Sequence, residues 1–211
     1  MTSSTLRQIL ARTPVMPVLT MHDARWAADL AHALVQGGIC VFEVVMRTPQ
    51  SVAALRAMLE AAPDADIGMG TLLTPEDLQT ARLAGAKFGV SPGLTPELAA
   101  AIEATKFPFL PGVATASEVM QARARGLKEL KFFPANGSAG ANWIKDMSSV
   151  FPDVLFCPTG GIRPADIPAY LKLPNCTTVG GSWVVPQDML GDRDWAGITV
   201  LAQQARAFRP D

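Results

Sequence analysis

Leu127-Lys128-Glu129-Leu130-Lys131-Phe132-Phe133-Pro134 reads as a short buried strand with a lysine at its carboxyl end, closed by a proline. Strand side chains alternate between faces, so Glu129, Lys131 and Phe133 share one side and Lys128, Leu130 and Phe132 the other. An ammonium set between two phenylalanines and a proline loses much of its hydration. Desolvation disfavours the charged form and leaves a fraction of free amine able to attack a carbonyl. Lys131 is therefore a candidate imine-forming nucleophile. The competing reading is a strand-end lysine that reaches back to solvent, as most lysines do.

Outward from this stretch, apolar strand-like runs recur at 15–19, 39–45, 67–71, 88–92, 107–111, 129–133, 154–158 and 177–181. Their spacing averages about 23 residues, the length of a strand-plus-helix unit repeated around a parallel sheet. Helix-start signals follow the strands. Asp23 precedes 24–36, Thr48-Pro49 precedes 50–62, Thr74-Pro75-Glu76 opens 77–83 and Thr95-Pro96-Glu97 opens 98–105. Thr115 to Glu118 opens 119–125, and Arg163-Pro164 opens 165–171. A capping oxygen or a first-turn proline just after a strand is what short strand-to-helix loops require. Gly37-Gly38, Gly85 and Gly126 close helices. Eight units predict an α/β fold, a (β/α)8 TIM barrel with a short amphipathic N-terminal helix at 5–12 and one domain over 1–211. An open doubly wound sheet is the alternative, but no Gly-x-Gly-x-x-Gly follows the first strand.

The 49% hydrophobic and 18% charged content is that of a globular chain, and 211 residues suffice for a full core. A net charge of −1 leaves no footprint for nucleic acid or an anionic membrane. No apolar run has the length of a membrane span, and the first residues lack the order of a signal peptide. Cys40, Cys157 and Cys176 are too scattered to read as a disulfide framework. A cytoplasmic protein is expected.

In such barrels the chemistry sits at the carboxyl ends of the strands. The second strand puts Val41, Glu43, Val45 and Arg47 on one face, so a carboxylate and a guanidinium point into the barrel. Glu43 could pair with Lys131 for neutrality alone. A carboxylate, a buried lysine and an arginine around one mouth are nonetheless an unusual outlay for structure. The third strand ends Gly68-Met69-Gly70-Thr71, a hydroxyl reached through small residues that let a ligand approach the backbone. Ser91-Pro92-Gly93 and Pro111-Gly112 read as turns, Gly93 and Gly112 included. Thr159-Gly160-Gly161 and Gly180-Gly181-Ser182 follow the last two strands as a pair of Gly-Gly turns. Backbone N–H groups, a helix N-terminus and the Ser182 hydroxyl there suit a phosphate. His22 and His32 lie off the strand ends, and no cluster has metal-ligand spacing, so no metal and no cofactor is expected. Trp26, Trp143, Trp183 and Trp195 read as packing residues, some at a subunit contact.

Together, Glu43-Val44-Val45-Met46-Arg47-Thr48, Gly70-Thr71, Ser91-Pro92-Gly93, Lys131-Phe132-Phe133-Pro134-Ala135, Pro158-Thr159-Gly160-Gly161-Ile162 and Gly180-Gly181-Ser182-Trp183 carry a resemblance. The chain resembles the 2-keto-3-deoxy-6-phosphogluconate (KDPG)/4-hydroxy-2-oxoglutarate (KHG) aldolases of the Entner–Doudoroff pathway, over about 15–185 and in the same order. That resemblance implies a metal-free class I aldolase, a homotrimer, yielding pyruvate and glyceraldehyde 3-phosphate from a phosphorylated 2-keto-3-deoxy sugar acid, with side activity on 4-hydroxy-2-oxoglutarate. It implies Lys131 as Schiff-base lysine and Glu43 as acid/base. Arg47 and Thr71 would hold the pyruvate carboxylate, Pro92 and Phe133 would line the pocket, and Thr159, Gly160, Gly161 and Ser182 would meet hydroxyls and phosphate. Val45 replaces a frequent threonine and Asn136 a frequent acidic residue. Two alternatives remain: an aldolase for the galactonate epimer or for unphosphorylated acids, and a non-catalytic barrel that binds a phosphorylated ligand.

Overall fold

In the computed structural model, which describes residues 5–136 and 140–209, every strand pairing is parallel. The strands are β1 (Val15–Leu19), β2 (Val41–Val45), β3 (Asp66–Gly70), β4 (Gly89–Val90), β5 (Phe109–Leu110), β6 (Gly112–Val113), β7 (Glu129–Phe132), β8 (Leu155–Pro158) and β9 (Val179–Gly181). They run β5-β4-β3-β2-β1-β9 and β6-β7-β8. Two joins close the ring. β5 and β6 are halves of the expected fifth strand, parted at Pro111, which has no N–H to give; its carbonyl accepts from the Lys131 amide at 2.8 Å. Bridges Phe156–Cys176 and Thr159–Gly180 then tie the eighth unit to the seventh. The fifth strand thus ends at Val113, two residues beyond its expected limit.

Helices follow as α1 (Leu6–Ala11), α2 (Ala27–Gln36), α3 (Ser51–Ala61), α4 (Pro75–Leu83), α5 (Pro96–Thr105), α6 (Ala116–Ala124), α7 (Gly140–Val150), α8 (Ile167–Leu171), α9 (Gln187–Asp192) and α10 (Trp195–Arg206). Thr74, Thr95 and Thr115 cap as expected, each side chain accepting an amide three residues on. Thr48 does not cap. Its hydroxyl donates to the Met21 carbonyl, and α3 starts from Gln50 without a side-chain cap. Asp194 caps α10, its side chain accepting from the Gly197 amide.

Period two sorts the barrel residues. Phe42, Val44, Leu130 and Phe132 face outward into the layer between strands and helices, where Phe132 stacks on Trp143 at 4.4 Å. Met16, Val41, Phe88, Val90, Leu110 and Cys157 face inward and form a separate apolar cluster with Leu6, Ile9 and Leu10 of α1. Those three occupy i, i+3 and i+4 of one helical stripe, so α1 lays a single apolar face against the barrel. Burying each is worth about 1.5–3 kcal/mol. Arg7 pairs with Glu129 at 2.7 Å and Arg12 pairs with Asp66, the first residues of β7 and β3. The N-terminal helix therefore closes the amino ends of the strands, leaving the carboxyl ends open.

Candidate active site

One step up β2 from Val41, Glu43 enters the barrel; one step up β7 from Glu129, Lys131 does the same. Their side chains meet across the interior, with Lys131 Nζ 3.5 Å from Glu43 Oε1. Both are withdrawn from solvent, at 4% exposure for Lys131 and none for Glu43. Lys131 does not reach back to water. Among the described residues, neither Glu43 oxygen has a hydrogen-bond partner. The Phe133 ring lies 5.5 Å from Nζ, so the cation also meets an aromatic face.

Gly70 explains how Glu43 fits. A Cβ there would lie 1.6 Å from Oε1. Gly68 is likewise covered by the Phe88 ring, 2.4 Å from where its Cβ would be. These glycines make room for the protein's own carboxylate and ring, correcting the expectation that they open the backbone to a ligand. Cys157 is the register partner of Lys131 on β8. Burial pushes its thiol up to about 12, against the opposing pull of the Thr159 hydroxyl and the Lys131 charge, so it stands beside the pair as a neutral group.

Around the mouth, Arg47 Nε donates to the Thr71 hydroxyl at 2.9 Å. Thr71 has a φ of +61°, a strained backbone for a β-branched residue. Pro92 is exposed, and its carbonyl packs 2.1 Å from where a Cβ on Gly112 would fall. Gly112 is thus a close-approach glycine inside β6 rather than a turn residue. Thr159 is buried and its hydroxyl sits over Gly180, 2.2 Å from a hypothetical Cβ. Gly160 and Gly161 form a turn with φ of 103° and 70°. Gly180 and Gly181 do not: they lie extended in β9, because the Thr159 side chain needs the space above Gly180. Only one of the two expected Gly-Gly turns exists. Ser182 follows β9 at the exposed rim. Sequence reading missed Cys157 and the seat at Gly70, and only three-dimensional proximity identifies either.

The family model described as KDPG and KHG aldolase matches residues 6–201. The chain belongs to the KDPG and KHG aldolase family. It is 47% identical over 201 residues to the 2-dehydro-3-deoxy-phosphogluconate aldolase of Zymomonas mobilis, covering 95% of each chain. It is 46% identical over 198 residues to the KHG/KDPG aldolase of Escherichia coli K12, covering 93% of this chain and 92% of that one. The KDPG aldolase of Legionella pneumophila superposes with a TM-score of 0.94 at 41% identity, over 96% of this chain and 98% of its own; that crystal structure holds pyruvate as a covalent carbinolamine intermediate. The protein is a carbon–carbon lyase with a TIM-barrel-like fold.

Val45 and Asn136, the two positions expected to depart from the resembled pattern, each have a place. Val45 is buried beside Gly70 in the β2–β3 ladder and brings no hydroxyl to the side that carries Glu43. Asn136 is exposed; its amide donates to the Gly160 carbonyl at 3.1 Å, and its side chain lies against Gly161. A cavity of about 310 Å³ opens between Asn136, Gly161, Arg163, Asp166 and Tyr170. Another, of about 480 Å³ among Arg12, His32, Cys40 and Pro63, lies at the amino ends of the strands, away from Lys131. No three His, Cys, Asp or Glu side chains converge as metal ligands do among the described residues, and no helix there is long and apolar enough to cross a membrane.

Proposed function

We propose that Lys131 and Glu43 carry the aldol cleavage of KDPG to pyruvate and glyceraldehyde 3-phosphate. The observation behind this is the buried 3.5 Å contact between an ammonium and a carboxylate that has no hydrogen-bond partner among the described residues, placed toward the open end of the barrel. Neutral Lys131 adds through Nζ to the C2 ketone to give a carbinolamine, and a proton from the Glu43 carboxyl to its hydroxyl lets water leave, so a protonated imine and the Glu43 carboxylate remain. That cation accepts the electron pair of the C3–C4 bond as it breaks, so no free carbanion forms. Glu43, directly or through one water, takes the C4 hydroxyl proton, which releases the aldehyde. It returns a proton to C3 of the enamine, and water hydrolyses the imine to free pyruvate and the amine. Arg47 with Thr71 suits the substrate carboxylate, a two-pronged donor held by its neighbour. Pro92 and Phe133 line the pocket; Thr159, Gly160, Gly161 and Ser182 receive hydroxyls and phosphate.

Borohydride with pyruvate tests the assignment. A reduced three-carbon adduct on Lys131 is expected, and its absence under conditions where the enzyme turns over rejects the assignment. The family name extends the reading to 4-hydroxy-2-oxoglutarate. Rates on phosphorylated and unphosphorylated acids gauge that activity, since the Gly161 and Ser182 grip serves only the former. The same family likeness supports a homotrimer, checked by solution mass, and a cytoplasmic setting, in keeping with three unpaired cysteines.

A further inference from the structure

We infer that α1 is the floor of the active site, and that Leu10 is a positioning residue which keeps the Lys131–Glu43 pair dry from below. The inference rests on the reading of Lys131 as the imine-forming lysine. Two observations carry it. Leu6, Ile9 and Leu10 belong to the same apolar cluster as Met16, Val41, Phe88, Leu110 and Cys157. That cluster reaches the pair from below and from the side: Val41 is one inward step below Glu43, Phe88 covers Gly68, the register partner of Glu43, and Cys157 stands beside Lys131 as its register partner. The helix is also tied to the strands that frame the pair. Arg7 holds Glu129, one inward step below Lys131, and Arg12 holds Asp66, on the strand whose Gly70 seats the Glu43 carboxylate.

On the amino side of the pair the barrel is filled by Val41 and the rest of this cluster, down to the apolar face of α1. A free amine is favoured over an ammonium only while hydration is withheld. The groups that face Lys131 are few. Glu43 from β2 is the charged one, Cys157 from β8 stays a thiol, and β6 presents Gly112. Below lie Glu129 with Arg7 and Asp66 with Arg12, both already paired. Above, Arg47 bonds Thr71.

The experiment is the pH profile of borohydride trapping by pyruvate in Leu10→Ala, Leu10→Met and Leu55→Ala. Leu55 is fully buried in the outer layer, so its truncation makes a comparable hole away from the barrel interior. In Leu10→Ala the pH of half-maximal trapping rises by about half a unit, a fall of about threefold in trapping rate on the acidic limb. Leu10→Met restores the profile, and Leu55→Ala leaves it unmoved although it lowers the melting temperature. A folded Leu10→Ala with an unshifted profile overturns the inference, as does an equal shift in Leu55→Ala. Should Leu10→Ala not fold, Leu10→Val is judged by the same criterion. Failure of the unaltered protein to gain any adduct would instead strike the Lys131 assignment, and the inference with it.

Discussion

Replacing Lys131 by methionine keeps the length and bulk of the side chain and removes its charge. What remains is Glu43, fully buried, with neither oxygen hydrogen-bonded among the described residues. At 3.5 Å and an effective dielectric near 20, the lost Coulomb attraction is about 5 kcal/mol. The desolvation cost of the carboxylate stays in place, so the variant should lose about 3–5 kcal/mol, the usual consequence of orphaning one member of a buried pair. For a chain of this size that is a fall of about 10 °C in melting temperature. The double variant Lys131→Met/Glu43→Leu removes both charges and should lie within about 1 kcal/mol of the unaltered protein, or above it. On the proposed roles neither variant should cleave substrate, so the comparison separates stability from chemistry. Thermal melts at pH 8 of these two variants, of Glu43→Leu and of the unaltered protein complete the cycle. If Lys131→Met melts at the unaltered temperature at pH 8, Glu43 is not a buried charge and the site has been misread.

Gly70→Ala forces the Glu43 carboxylate from its seat, and kcat should drop about 100-fold with the fold retained; the shorter acid in Gly70→Ala/Glu43→Asp recovers part of the loss. An undiminished kcat in Gly70→Ala refutes this. Arg47→Lys keeps the charge but loses the planar fork, so KM rises about tenfold with kcat less affected, and an unchanged KM removes Arg47 from the carboxylate site. Asp153, bonded by Arg123 and Lys128, is held at about 2, below its unfolded value of about 3.9. Its folded form binds fewer protons, so its contribution is full above about pH 4 and is lost as pH falls towards 2. Melting temperatures of Asp153→Asn from pH 5 to 2 should be flatter than those of the unaltered protein, and parallel curves would contradict the assignment. Of the three thiols, a disulfide reagent at pH 8 modifies half-exposed Cys40 first, while burial protects Cys157 and Cys176; rapid reaction of a second thiol in the native protein would contradict that.

The parts of this fold that could be read from sequence are those governed by local chemistry. Alternation along residues 41–45 and 129–132 placed Glu43 and Lys131 inward, because a pleated strand allows no other arrangement. Thr74, Thr95 and Thr115 declared their helices because a hydroxyl reaches an amide at a fixed offset. Thr48 carries the same signal and fails, since the Met21 carbonyl, far away in sequence, competes for its hydroxyl. Gly180-Gly181 looks like a turn for the same reason. Nothing within that pair announces that Thr159 will need the space above it. Gly70 was legible as small, but what it is small for belongs to another strand.

The carboxylates of the molecule make the functional argument by contrast. Asp77 accepts the amides of Leu73 and Thr74, and Glu118 those of Ala114 and Thr115. Asp153 draws both Arg123 and Lys128. Each has access to water and gains partners besides. Glu43 is fully buried, and among the described residues its one charged neighbour is Lys131 at 3.5 Å. A pair kept for neutrality would be expected to recruit backbone or hydroxyl donors, since a buried ion pair repays its desolvation only when its remaining valences are filled. Instead Gly70 gives up a side chain so that the carboxylate can stand there, and Gly112 presents none beside Lys131. A buried carboxylate seated by a glycine against an amine is an expensive arrangement for structure alone, and that expense supports the proposed role of Glu43 in proton transfer.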